Sequence, residues 1–184
     1  VPRAAANYAV FFRNVNLGRP GKPGKAQLEA AFAAAGGLHA QSFLATGNVV
    51  FAAPGEAAAR RVLARACAAL EAACGLAEPA FLRPLEHLAR LAAAAPFEAV
   101  RADDVHEYGV TFLAAPPAAL PALPLRSARG DLEVFRIAGA EAFGFTRLVD
   151  GRPGNVNGLL EKRLQMPATT RSWNTVRRLV ERRG

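Results

Sequence analysis

The chain is short of most residues by which a function is ordinarily read. Its 184 residues include two cysteines, one tryptophan, one methionine and three histidines. Cys67 and Cys74 fall on one expected helix, where seven steps of rise part their Cα atoms by roughly 10 Å, beyond disulfide reach. Two free thiols fit a reducing compartment, so a cytoplasmic location is expected. No apolar run reaches the 18 residues of a bilayer span, so no membrane partner is expected. His39 and His87 are isolated. Asp103-Asp104-Val105-His106-Glu107 crowds its ligand types onto adjacent positions, which seldom converge on one ion, so a solvated loop is expected and no metal site. No G-x-S-x-G nucleophile elbow occurs. Gly18 to Ala26 is rich in Gly and Lys but has the wrong glycine spacing for a nucleotide-phosphate loop. It also lacks a hydroxyl at Ala26 and loses amide donors at Pro20 and Pro23. No cofactor is expected.

What is present is apolar and basic. Apolar residues make up 52% and charged residues 21%, enough for a real core in one domain or two small lobes. Lysine supplies only Lys22, Lys25 and Lys162 of the 23 cations, so arginine abundance reads as coding bias as much as chemistry. The position of charge says more than its total of +8. Residues 1–25 carry five cations, Arg3 among them, and no acid; residues 151–184 carry eight cations and two acids; the middle carries ten cations against thirteen acids. Two basic ends around an acidic middle suit nucleic acid or another polyanion as partner.

Periodicity orders the elements. Asn7 to Arg13 reads as a central strand, with Tyr8, Val10 and Phe12 on one face and Phe11 on the other. Lys25 to Ala35 is a helix carrying Leu28 and Phe32. His39–Ala45 and Asn48–Ala52 flank Thr46-Gly47 as a tight hairpin. A helix from Glu56 to Cys74 follows, with Leu63, Cys67, Leu70 and Cys74 on its inner stripe, then a strand from Pro79 to Arg83. The order βαββαβ predicts an α+β fold whose residues 1–84 form a ferredoxin-like plait. Residues 85–184 then form a second, less regular plait-like lobe: a helix at 85–95, a strand at 107–114, a hairpin at 132–138 and 142–148, and two C-terminal helices. In a plait the loop after the first strand and the hairpin before the third share one end of the sheet, placing Arg13, Asn14, Asn16 and Gly18 beside Thr46, Gly47 and Asn48.

At these blocks the chain resembles a bacterial family known as domain of unknown function 1697. The resemblance rests on Arg13-Asn14-Val15-Asn16-Leu17-Gly18, on Thr46-Gly47-Asn48-Val49 and on Thr169-Thr170-Arg171-Ser172-Trp173-Asn174-Thr175-Val176, and runs from about Tyr8 to the chain end. Asn14 stands where the family has Gly, and Ser172 where it has Asn. The resemblance implies plait-like halves and carries no activity with it.

The candidate ligand-binding residues are therefore Arg13, Asn14, Asn16, Thr46, Gly47, Asn48, Thr169, Thr170, Arg171 and Asn174. Thr169 to Asn174 is expected to open the last helix, with Thr170 or Ser172 as N-cap and Arg171 as an anion contact. Trp173, Val176, Leu179 and Val180 form the inner stripe of that helix, with Arg178 and Arg182 turned to solvent. The preferred reading is a binding protein for an anionic partner, either nucleic acid or a phosphorylated small molecule. The alternatives are an enzyme acting on a small phosphorylated or carboxylated substrate in an inter-lobe cleft, with no evident base or nucleophile, and a self-associating structural module. Tyr8, Phe12 and Phe51 are the aromatics an RNA-binding plait would display, although inner-strand aromatics more often belong to a core.

Overall fold

A computed structural model describes residues 5–183. Arg3, counted in the basic N-terminal segment, lies outside the described residues. The fold is mixed α and β, with five helices and antiparallel sheets among the described residues. It separates into two compact units, residues 1–90 with 179–184 and residues 91–178.

The first unit runs β1 (Ala6–Phe12), α1 (Lys25–Ala34), β2 (Leu38–Ser42), β3 (Asn48–Ala53), α2 (Glu56–Cys74) and β4 (Ala80–Pro84), and includes the start of α3 (Leu85–Ala93). Its sheet has the order β2-β3-β1-β4, antiparallel throughout. β1 is central as expected, and Ala9, Val10 and Phe11 are fully buried. Tyr8, Phe12 and Phe51 belong to the core with Phe32 of α1, whose ring lies 5.4 Å from that of Phe51 and 6.2 Å from that of Phe12. These aromatics form no exposed stacking platform. The buried face of α2 is Ala59, Val62, Ala66 and Leu70, one position round from the expected stripe. Two alanines on that face let the helix sit close, leaving Leu63, Cys67 and Cys74 at its partly buried margin.

The hairpin between β2 and β3 is longer than the two residues expected. Its connection covers 43–47, closed by the Phe43 amide donating to the Asn48 carbonyl at 2.8 Å. Leu44 and Gly47 both adopt positive φ, +58° and +69°. Gly47 has a second constraint, because a Cβ there would lie 2.8 Å from the Val15 Cβ. The loop after β1 thus packs directly on the hairpin, with the Phe12 amide bonded to the Gly47 carbonyl at 2.9 Å and the Leu17 amide to the Ala45 carbonyl at 2.8 Å.

The second unit contains β5 (Glu107–Leu113), β6 (Leu125–Arg126), β7 (Leu132–Ala138), β8 (Glu141–Thr146), β9 (Leu148–Val149), β10 (Arg152–Pro153), α4 (Val156–Leu164) and β11 (Ala168–Ser172). α5 (Trp173–Arg183) follows β11 without a linker. The main sheet has the order β11-β5-β8-β7-β6. β11 corrects the expectation that Thr169 to Arg171 open a helix, since these residues pair with β5 instead. One face of the sheet is aliphatic, with Leu113, Leu132, Val134 and Ala142 packed under Val156 and Leu160 of α4. The other is aromatic. Phe97 sits among Tyr108, Phe135, Phe143 and Trp173 at ring separations of 5.1 to 6.0 Å.

Two outcomes test this packing. Gly47→Ala combines a left-handed backbone with a collision and is expected to lower stability by about 3 kcal/mol, read as a lower urea midpoint at unchanged slope. A loss below about 1 kcal/mol would contradict the close approach. Cys67 and Cys74 are free, and burial pushes the Cys67 thiol up to about 11. Native-state pKa above the unfolded value means little thiolate at pH 8. In a Cys74→Ser background, Cys67 should therefore react with a disulfide reagent on the order of 100-fold more slowly than in the urea-unfolded chain. Equal rates would show that the thiol is not buried.

Candidate functional site

The ten candidate residues divide between the units. Arg13, Asn14, Asn16, Thr46, Gly47 and Asn48 lie together in the first, as the shared sheet end requires. Asn48 is fully buried, and its Nδ2 donates to the Phe43 carbonyl at 2.9 Å and to Thr46 Oγ1 at 3.0 Å, which ties the hairpin. Arg13 faces Glu78 at 3.9 Å, and Lys22 donates to the same carboxylate at 3.2 Å. Asn14 holds φ +54°, a left-handed conformation that asparagine tolerates. Asn14 and Asn16 are exposed.

Thr169, Thr170, Arg171 and Asn174 lie in the second unit. Thr170 Oγ1 contacts Thr111 Oγ1 across the strand pair at 2.8 Å and donates to Asn157 Oδ1 of α4 at 2.7 Å. Arg171 is 9% exposed, and its Nη1 donates to Thr169 Oγ1 at 2.9 Å and to the Thr170 carbonyl at 3.0 Å. Burial lowers its pKa to about 10, which leaves it charged at neutral pH. Ser172 is the cap of α5, its Oγ accepting from the Thr175 amide at 3.1 Å. Arg182 is exposed, as expected, with its guanidinium 5.8 Å from the centroid of the Phe43 ring. The Thr170 hydroxyl thus ties β11 to β5 and α4, while the Arg171 guanidinium bonds within its own strand. Asn174 alone is exposed, on the rim of a concavity of about 360 Å³ with His106, Glu107, Trp173 and Arg177.

A larger concavity, about 550 Å³, lies in the same unit and contains none of the ten. Its wall is the segment after α3, wound by amide bonds from Ala95 to Ala92, Glu98 to Ala95 and Val100 to Phe97. Those turns drive Phe97 into the aromatic cluster and leave Pro96, Ala99, Val100 and Ala102 along the pocket. Its floor is Phe135 and Phe145, stacked at 6.5 Å and 29°. Phe135 occupies a bulge, because pairing passes from Val134↔Gly144 to Arg136↔Phe143. Gly144 makes room for it: a Cβ there would stand 2.4 Å from the Glu133 carbonyl oxygen.

Three arginines rim this space. Arg126 Nε donates to Glu133 Oε2 at 2.7 Å, a compensated pair. Arg101 Nη1 donates to the Glu98 carbonyl at 2.7 Å, and Arg147 Nε to the Asp103 carbonyl at 3.0 Å. Arg147 also lies over the Phe145 ring, 4.6 Å from its centroid. Among the described residues neither Arg101 nor Arg147 forms an ion pair. No group of three or more His, Cys, Asp and Glu residues suited to a metal ion occurs among the described residues. No helix there is long and apolar enough to cross a membrane.

No curated protein matches the chain. A solved structure, described as a conserved bacterial protein from Streptococcus pneumoniae, is similar over 97% of this chain and 98% of that one, with a TM-score of 0.58 and 16% identity. At that identity the likeness speaks to the fold alone. A family model described as Protein of unknown function (DUF1697) matches residues 6–143, taking in the Arg13 and Thr46 blocks and ending before Thr169. Because that model spans well over half of the sequence, the chain belongs to this family of proteins of unknown function.

Proposed function

We propose that this chain is a binding protein for a small anionic molecule, received in the 550 Å³ concavity of residues 91–178. One observation carries the reading: Arg101 and Arg147 are bonded to backbone carbonyls and form no ion pair, although Asp103 shares the lining. A carbonyl fixes the direction of a guanidinium without cancelling its charge, so the ordering cost is met before a ligand arrives. The volume falls in the range of small-molecule sites, with an apolar floor and few polar groups. For the architecture we propose that residues 6–84 are a ferredoxin-like plait, supported by the element order and by the strand order β2-β3-β1-β4. A cytoplasmic location accords with the free thiols.

A second reading, favoured by the smaller concavity, is an enzyme acting on a carboxylated or phosphorylated substrate. His106, Glu107, Asn174 and Arg177 there bring an imidazole, a carboxylate and a guanidinium together, groups able to move a proton and hold an anion.

Calorimetric titration at low salt with inorganic phosphate, pyrophosphate and citrate tests the first reading. Binding of at least one is expected, weakened roughly 10- to 100-fold by Arg101→Ala or Arg147→Ala, the worth of one charged hydrogen bond, and further by added salt. Absence of binding by all three, or variants that bind as the parent does, would overturn it. Turnover of a phosphate ester or carboxylate ester that survives Arg101→Ala and is abolished by His106→Ala would favour the second reading instead.

A further inference from the structure

The large concavity is more than an anion site, because most of its lining has nothing to offer a bare anion. Inorganic phosphate would leave Phe135 and the wall from Pro96 to Ala102 without a partner. Phe135 is partly exposed and stacked on Phe145, a flat apolar surface held at the pocket by a bulge. A bulge re-aims the side chain it carries, and this one requires glycine at position 144 opposite. Arg147, lying on the Phe145 ring, adds a second planar group at the edge of that surface. The Arg126–Glu133 pair lines the same space. Being jointly neutral, it adds no pull on an anion but offers both a donor and an acceptor to heteroatoms of a ring.

From these juxtapositions we infer that the ligand is a nucleoside monophosphate, its base on Phe135, its ring heteroatoms toward Arg126 and Glu133, and its phosphate on Arg101 and Arg147. This rests on the anion-binding reading above and names its ligand class. Base stacking on an aromatic side chain is tolerant of sequence and contributes comparably to a charged hydrogen bond. Neither half of the ligand alone is therefore expected to bind as the whole does.

The test is titration of the full chain with adenosine monophosphate, adenosine and inorganic phosphate, for the parent, Phe135→Leu and Arg101→Ala. The nucleotide is expected to bind at least tenfold more tightly than either fragment. Phe135→Leu, which keeps an apolar side chain without a ring, should weaken the nucleotide about tenfold and leave phosphate unchanged. Arg101→Ala should weaken nucleotide and phosphate together while leaving adenosine unchanged. Phosphate affinity equal to that of the nucleotide, or nucleotide affinity indifferent to Phe135→Leu with phosphate still bound, would overturn the inference and leave the anion site standing. Failure of all three ligands to bind the parent would overturn the inference, and the anion-binding reading would fall with it only where pyrophosphate and citrate also fail to bind.

Discussion

The arrangement of the second unit turns on the contact between Gly144 and the backbone of β7. The carbonyl of Glu133 occupies the place a side chain at position 144 would need, and only the absence of a Cβ allows it. β7 can then carry its extra residue, so that Phe135 and Arg136 both lie on the aromatic face. Along β8 small residues alternate with rings, Ala142 and Gly144 against Phe143 and Phe145. That alternation sends Ala142 into the aliphatic layer under α4 and the rings to the opposite side. The aromatic layer, the seat for Phe97 and the floor of the larger concavity all follow from that division of faces.

Charge in this chain gains meaning only when each cation is traced to its partner. Arg60 and Arg90 pair with Glu56 and Glu86 one helical turn away, exposed ion pairs of little energetic consequence. Arg13 and Lys22 share Glu78, and Arg171 is buried against its own strand. Arg101 and Arg147 differ in lining a concavity while forming no ion pair. The excess of basic residues at the two ends of the sequence therefore says less about a ligand than do two arginines from its mildly acidic middle.

Much of the first unit was legible in the sequence. β1 shows its central position in the apolar residues on both its faces, and α1 and α2 show their lengths through periodicity and terminal glycines. The hairpin was legible in place but not in length, because the bend at Leu44 has no turn residue to announce it. β11 was hidden for a different reason. Thr169 to Ser172 is polar, and the helical stripe beginning at Trp173 captured it, although two β-branched threonines are sound strand formers. The larger concavity could not be read at all. Its residues come from three separated stretches, and its arginines are diluted among many others.

The motif residues and the concavity answer to different demands. Gly47 and Asn48 shape a hairpin, Thr170 ties two elements together, and Ser172 caps a helix. Each meets a local requirement of the fold that few residue types satisfy, so such residues identify an architecture whatever its ligand. The concavity makes no comparable demand on the backbone except at Gly144. Arg101 and Arg147 can be exchanged with modest cost to folding, because their side chains lie at the edge of the packed layers rather than within them. None of the residues on which the family resemblance rests lines this concavity, so those residues say little about what it could hold.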